Sequence, residues 1–422
     1  MKTSQRKDTP MPRQGRSRLT AEREQAAHAA SEHAESSPLP RYVPLLLAVA
    51  CGLAVASVYF AQPLLDDLAR EFGIASSSIG IVVTVTQICY ALGLLLLVPL
   101  GDVFNRRRLI AVQMALSSAA LLAVGFAPNG MLLLAGVAAV GLFAVTTQTL
   151  VAYAASLAAP AERGRAVGLA TSGVVTGILL ARTFAGTMTD LGGWRSVYLV
   201  SAALMLAMAV VLFRVLPRRE LPHERIGYVR LLRSVPALFV QERVLRVRAI
   251  LALLIFTAFS ILWTSLVLPL SAPPLSLSHT AIGAFGLAGA AGALAAARAG
   301  RLADRGLGQR TTGIALTLLL ASWLPIGYMN HSLAALIVGI VLLDLAVQAV
   351  HVTSQTMIFA ARPEARSRLT AGYMIFYSAG SALGSIASTR MYAYAGWNGV
   401  CLLGAAVSGA ALLFWAFTRR IV

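Results

Sequence analysis

The sequence has few charged residues for its length. Charged side chains make up 12% of the 422 residues, and hydrophobic ones make up 58%. A soluble globular domain, in comparison, is about one quarter charged. So few charges cannot cover the water-facing surface of a soluble chain of this size. The composition therefore argues against a soluble protein and indicates one that lies in a membrane.

Lysine is almost absent, since it occurs only at Lys2 and Lys7, and arginine carries the positive charge. The formal net charge of +18 would fit a nucleic-acid-binding protein if the arginines formed one basic surface. They lie instead in short segments between apolar runs. We therefore expect no nucleic-acid partner.

Cysteine is also scarce, and its placement gives no sign of a disulfide or a metal site. Cys51, Cys89 and Cys401 are far apart, odd in number and each within an apolar run. The sequence has no metal-ligand cluster, no phosphate-binding loop and no nucleophile–base pair. These absences predict neither an enzyme nor an ATP-driven pump, and we expect no cofactor and no bound metal.

Apolar runs of about twenty residues, each long enough to cross a bilayer, follow one another from residue 43 onward. They predict twelve transmembrane helices. The predicted spans are 43–63, 79–100, 109–127, 131–153, 166–187, 196–216, 249–270, 280–299, 311–328, 333–357, 370–389 and 398–417. Residues 1–40 contain no apolar core and predict a disordered cytoplasmic tail.

The arginines are concentrated on one side of the predicted membrane. One set of loops carries most of the arginines, whereas the opposite loops carry only Arg70, Arg195 and Arg390. The arginine-rich set contains Arg106, Arg107, Arg108, Arg163, Arg165, the 217–248 connection, Arg301, Arg305, Arg310, Arg362, Arg366, Arg368, Arg419 and Arg420. Because positive loops stay inside, this distribution predicts that both termini are cytoplasmic. We expect a multi-pass protein of the bacterial cytoplasmic (inner) membrane.

Short motifs recur at an offset of 202 or 203 residues. The recurring pairs are Ile79-Gly80 with Ile282-Gly283, Asp102 with Asp304, Arg163-Gly-Arg165 with Arg366-Ser-Arg368, and Gly193-Trp194 with Gly396-Trp397. A constant offset across six spans predicts two related bundles. We assign residues 41–216 to an N-terminal six-helix bundle, 217–248 to a cytoplasmic linker and 249–422 to a C-terminal six-helix bundle.

Over residues 41–420 the chain resembles a major facilitator superfamily transporter, and some segments resemble its arabinose-efflux-like and drug-efflux-like members. The signature of the loop between the second and third spans stands as Gly300-Arg-Leu-Ala-Asp304-Arg305-Gly-Leu-Gly-Gln-Arg310, and its eroded counterpart as Gly101-Asp102-Val-Phe-Asn-Arg106. The resemblance implies an all-α membrane fold of two pseudo-symmetric six-helix bundles. It also implies that Asp102, Arg106, Gly300, Asp304 and Arg305 form charged latches on the cytoplasmic side. The Gly-Pro signature of antiporters is absent from span five.

A polar stripe interrupts the tenth span. Asp344, Gln348, His351 and Gln355 lie on one helical face, and a stripe of this kind cannot face lipid cheaply. Asp344 and His351 are therefore candidates for proton coupling, and the two glutamines are candidates for substrate binding. The alternative is that Asp344 holds helices together through hydrogen bonds and that His351 is a core residue.

Arg182 is a second charge within an apolar run, in span five. It could bind an anionic substrate or pair with Asp344, or its head group could extend toward the outer interface. Gln148 is related to His351 by the repeat offset. Amide and aromatic side chains complete the candidate substrate site, although each is a common packing residue as well: Tyr59, Gln87, Trp263 and Tyr377.

These features, together with the resemblance, predict a monomeric secondary transporter driven by the proton gradient, which exports a small amphipathic compound by alternating access. Two alternatives remain. One is a proton-coupled uptake symporter for a sugar, an amino acid or an organic acid. The other is a membrane sensor that transports nothing.

Overall fold

A computed structural model of the chain describes residues 42–102, 104–158, 162–217, 228, 237–295, 302–361 and 366–420. Within these ranges the fold is helical and contains no strand. The predicted tail, most of the linker and Gly300 lie outside the described residues. Eight described segments are long and apolar enough to cross a membrane, and each of the twelve predicted spans coincides with helix over most of its described length.

The described part of the N-terminal half contains eight α-helices. They are α1 (Tyr42–Ala56), α2 (Leu65–Phe72), α3 (Ile81–Leu96), α4 (Arg106–Gly125), α5 (Gly130–Phe143), α6 (Thr146–Leu157), α7 (Arg163–Gly192) and α8 (Trp194–Val215). Asparagine side chains cap two of them, because Asn105 accepts from the backbone N–H of Arg108 and Asn129 from that of Leu132. The first membrane helix ends at Ala56, earlier than the predicted residue 63, and a turn and a 3₁₀-helix (Gln62–Leu64) follow it.

The C-terminal half repeats this plan. Its helices are α9 (Arg243–Ser265), α10 (Val267–Ser271), α11 (His279–Ala295), α12 (Gly308–Gly327), α13 (Leu333–Ala361) and α14 (Arg366–Thr418). Helix α14 covers the last two predicted spans and bends at Gly396, where φ is 61°. Gly193, its counterpart in the repeat, separates α7 from α8 with a φ of 75°. Both glycines adopt a left-handed backbone that other residues avoid.

The outer surface of the bundle is apolar, as expected of a protein surrounded by lipid. Many large hydrophobic side chains on the long helices are exposed, including Leu45, Leu92, Val112, Leu206, Leu324 and Leu402. A water-soluble protein would hide side chains of this kind. Lipid contact accounts for their position.

One basic residue lies deeper than the sequence indicated. Helix α9 begins at Arg243, inside the segment predicted to be a loop, and Arg248 is 1% exposed. Its guanidinium Nη1 donates to the hydroxyl of Thr312 at 3.0 Å. The prediction of Arg248 as a loop residue was therefore wrong. Its guanidinium has a polar partner inside the bundle, so the helix continues through it.

The two halves meet at one end of the bundle. We call the side where the described chain begins and ends the terminal face, and the other side the distal face. Ser385 Oγ donates to the carbonyl of Gly80 at 2.9 Å, Thr84 Oγ1 to that of Ala382 at 3.0 Å, and Thr183 Oγ1 to that of Gly283 at 3.1 Å. Further hydrogen bonds between described residues of the two halves also lie at the distal face or in the middle of the bundle. The conformation is therefore closed at its distal face.

Candidate functional site

Arg182 lies buried between the two halves, about two thirds of the way along α7 toward the distal face, and only 3% of it is exposed. Its Cζ is 3.9 Å from the ring centre of Trp263, 5.2 Å from that of Tyr59 and 5.5 Å from that of Phe259. All three distances allow a cation–π interaction. Since Trp263 and Phe259 belong to the C-terminal half, aromatic rings from both halves surround this cation.

Polar contacts of Arg182 are few. Its Nε donates to Gln62 Oε1 at 2.9 Å, while its buried Nη2 has no hydrogen-bond partner. A cavity of about 10 Å³, lined in part by Arg182, Gln62 and Trp263, lies beside it. This volume holds about one water molecule at most. This cavity is therefore too small for a substrate.

Asp344 is the buried carboxylate of the site and is 4% exposed. Its Oδ1 accepts a hydrogen bond from Trp263 Nε1 at 3.2 Å. On its other side, α11 passes so close that a Cβ on Gly289 would lie 2.0 Å from Asp344 Oδ2. The structure thus connects Arg182 and Asp344, which sequence alone could not place near each other, through the indole of Trp263.

The rest of the polar stripe follows Asp344 toward the terminal face. Gln348, His351 and Gln355 are partly exposed. His351 Nδ1 lies 3.0 Å from the hydroxyl of Tyr373, and its ring packs edge-on against Phe256. The stripe therefore runs from a buried carboxylate to side chains that are partly exposed.

Tyr59 and Tyr377 join the halves in the middle of the bundle. Their hydroxyls form a hydrogen bond, and the ring of Tyr377 packs 4.0 Å from that of Phe256. Because Tyr59 also lies beside Arg182, the pair connects the buried charge to the helix that carries Tyr377. Of the other predicted ligands, Gln87 is buried and Gln148 is partly exposed.

The structure describes the predicted latches only in part. Arg106 Nε donates to the carbonyl of Gly101 at 2.9 Å, and Arg305 is exposed. The side chains of Asp102 and Asp304 lie outside what the structure describes, as does Gly300. The latch role of these five residues therefore stays a prediction.

Sequence reasoning missed a charged cluster at the distal face. His279, the first residue of α11, faces three carboxylates of the N-terminal half. Its Nε2 lies 3.3 Å from Asp66 and 3.2 Å from Asp67, and its Nδ1 lies 3.4 Å from Asp190. Asp190 also accepts hydrogen bonds from the backbone N–H groups of His279 and Thr280, so one half caps a helix of the other.

This cluster changes the pKa of its members. The hydrogen bond with Asp66 raises the pKa of His279 above its ordinary value of 6.5. Burial is the largest single influence on Asp66 and raises its pKa, but the hydrogen bond with His279 and the charges of His279 and Arg70 together outweigh burial and lower the pKa of that carboxyl. The charged pair is therefore the favoured form near neutral pH. One signal could have revealed the cluster: Asp66-Asp67 follows span one and His279 precedes span eight, so all three belong to the same face.

The sequence indicated no group of metal ligands, and here the structure differs. Donor atoms of Asp66, Asp67 and His279 lie within 4.8 Å of one another. The ion pairs of His279 account for this arrangement without a metal. These contacts join the two halves at the distal face.

Comparison with known proteins gives consistent matches. A model of the Major Facilitator Superfamily matches residues 47–298 and 248–421. The chain is 50% identical over 371 residues to the uncharacterized transporter YgaY of Escherichia coli O157:H7, which covers 88% of this chain and 94% of that one. Over 163 residues, 37% of this chain and 30% of the other, it is 27% identical to the multidrug resistance protein Stp of Mycobacterium tuberculosis.

The fold is also similar to solved structures. It matches a bacterial homologue of the human lysosomal transporter Spinster, in an inward-facing and occupied conformation, with a TM-score of 0.74. The sequences are 17% identical, and the match covers 91% of this chain and 98% of that one. At this identity the similarity establishes the fold and leaves the substrate open.

Proposed function

Because the chain belongs to the Major Facilitator Superfamily and is a membrane transporter, we propose that it couples the movement of protons to the export of a small amphipathic compound. The proton gradient is the energy source, and Asp344 carries the proton. With the terminal face in the cytoplasm, as the arginine distribution predicts, the conformation described above faces inward.

One observation carries this proposal: a buried carboxylate of one half meets a buried cation of the other through Trp263. A charge at the bilayer centre costs about 2.5–3.5 kcal/mol or more, so two retained charges at the boundary between moving halves indicate function. Protonation removes the charge of Asp344 and changes its attraction to Arg182. The proton therefore acts on the contact that alternating access must break.

The remaining predicted residues have places in this mechanism. We propose that four polar residues line the path from the cytoplasm, namely Gln348, His351, Gln355 and Gln148. His351 transfers protons along this path. Asp102, Arg106, Gly300, Asp304 and Arg305 would close the cytoplasmic side in the opposite state. The match to Stp, a multidrug resistance protein, supports export, although it covers only part of each chain.

Proton-coupled uptake is the second candidate, and Arg182 favours it. Its Nη2 is buried without a hydrogen-bond partner, and protonation of Asp344 would leave its positive charge without a counter-charge nearby. An organic acid could then bind together with the proton, and the two would move in the same direction. The export proposal requires the opposite, namely that substrate and proton compete.

A transport assay separates the two candidates. Compounds that raise the melting temperature of the purified protein are first identified among drugs, sugars and organic acids. One that binds is then added to everted membrane vesicles with a proton gradient. Gradient-driven accumulation inside these vesicles supports export, and accumulation in right-side-out vesicles instead indicates uptake.

Asp344→Asn tests the proton site in the same assay. We expect the variant to lose uphill accumulation and to keep substrate exchange, and we expect Asp344→Glu to retain part of the uphill activity. Uphill accumulation by Asp344→Asn at the wild-type rate would show that the proton binds elsewhere.

A further inference from the structure

Trp263 is the residue through which the two buried charges communicate. Its N–H donates to Asp344 Oδ1 at 3.2 Å, and its ring lies 3.9 Å from Arg182 Cζ. One side chain of the C-terminal half therefore contacts the carboxylate of its own half and the cation of the other. Phe259, which also lies near Arg182, carries no hydrogen-bond donor for Asp344.

Helix α11 connects this contact to the distal face. A Cβ on Gly289 would lie 2.0 Å from Asp344 Oδ2 and 3.0 Å from Trp263 Cζ2, so the helix backbone packs tightly against both groups. Farther along the same helix, Gly283 packs against the backbone of Arg182, and His279 binds the carboxylates of the N-terminal half. A displacement at Asp344 would therefore reach the distal contacts, because close-packed interiors transmit strain.

We propose that Trp263 couples the charge on Asp344 to the closure of the distal face and acts as a positioning residue, a role that rests on the proposed proton site. While Asp344 is ionised, it orients the indole and attracts Arg182, and the distal face stays closed. When Asp344 is neutralised, Arg182 keeps only its contacts with the rings and with Gln62, and the face can open.

This arrangement gives a rule for exchange. Either a proton or a positively charged group of a substrate can neutralise Asp344, and either one releases the closed state. An empty, ionised site stays closed at the distal face, which prevents the carrier from changing faces without cargo. Competition of this kind is what the export proposal requires.

Infrared and distance measurements on the same protein test the coupling without a known substrate, because the proton is the ligand. Infrared difference spectra follow the protonated carboxyl of Asp344, and the band is identified by its loss in Asp344→Asn. Spin labels at two exposed distal positions, Leu191 and Tyr394, report closure. All variants carry His279→Gln, so that the distal histidine does not titrate.

Three variants make the test specific. Trp263→Leu removes both the ring and the N–H, whereas Trp263→Phe keeps a ring beside Arg182. The matched control is Trp323→Leu, which removes another buried indole of the same half, one that donates to Ser408. All of them contain Asp344, so its protonation remains measurable in each.

In the His279→Gln parent we expect the ratio of closed to open protein to change about tenfold or more as Asp344 titrates. The same change is expected in the Trp323→Leu control, and Trp263→Phe should retain part of it. In Trp263→Leu the carboxyl of Asp344 should still titrate, but the distance between the two spin labels should no longer change with that titration. Full coupling in Trp263→Leu, or equal loss in Trp323→Leu, would overturn the role of Trp263. A response that survives in Asp344→Asn would instead overturn the proton site.

Discussion

The tight contact between Gly186 of α7 and the start of α11 leads to a sharp prediction about the distal face. A Cβ on Gly186 would lie 2.1 Å from the carbonyl oxygen of His279 and 2.7 Å from its carbonyl carbon. Both atoms are backbone atoms of the opposite half, so no side chain can turn away to relieve the clash. In Gly186→Ala the two halves must separate there, which penalises the closed state only.

The magnitude follows from the cost of overpacking, which is about 1–3 kcal/mol for an added methylene in a well-packed interior. Because the open state does not pay this cost, the equilibrium should move toward distal opening by about 5- to 150-fold. Gly173→Ala is the matched control, since its Cβ would lie 2.0 Å from the carbonyl of Ala48 in the same half. That clash does not depend on the contact between the halves.

Distances between spin labels at Leu191 and Tyr394, measured by double electron–electron resonance, provide the assay. Cys51, Cys89 and Cys401 are replaced beforehand so that only the labelled positions react. We expect Gly186→Ala to populate longer distances, and Gly173→Ala to lower the melting temperature with the distances unchanged. If both variants lose stability and neither changes the distances, the close packing at Gly186 does not control closure, and the reasoning fails.

Two further predictions concern contacts between the halves. The wild type should melt at a higher temperature than His279→Ala, and the difference should be largest below about pH 6.5, where the histidine is charged in both the folded and the unfolded state. The difference should disappear as the pH rises through the raised pKa of His279. A difference in melting temperature that does not depend on pH would contradict the charged pair. In a double-mutant cycle, Tyr59→Phe and Tyr377→Phe should each destabilise the closed state by about 0.5–1.5 kcal/mol, and the double variant should cost little more than either one. Full additivity in thermal unfolding would show that the hydroxyl pair contributes nothing.

Much of the fold could be predicted from the sequence because the physics of a membrane helix is local. Apolar runs fix the helices. The constant offset predicted that the halves repeat, and the paired residues Gly193 and Gly396 both have a positive φ. The same locality explains the error at Arg248: its partner, Thr312, lies on another helix. A charge near a predicted boundary was assigned to a loop because the pattern contains no information about such partners.

The candidate site could be predicted only as separate pieces. Helical spacing identified the stripe that begins at Asp344, and hydropathy identified Arg182. Their connection depends on how α7, α9 and α13 rotate about their axes, which no single helix determines. Trp263 therefore gave no signal beyond being an aromatic residue in a span, yet it contacts both charges.

The carboxylate of Asp190 has a consequence for how the distal face opens. It accepts hydrogen bonds from the first two backbone N–H groups of α11, those of His279 and Thr280, although Asp190 belongs to the other half. When the halves separate, those two N–H groups lose their acceptor, and the cap from Ser278 Oγ to the backbone N–H of Ala281 remains. Opening therefore weakens the hydrogen bonding of the first turn of α11. The exchange of these two amide hydrogens with solvent would follow the alternation of the carrier without any label.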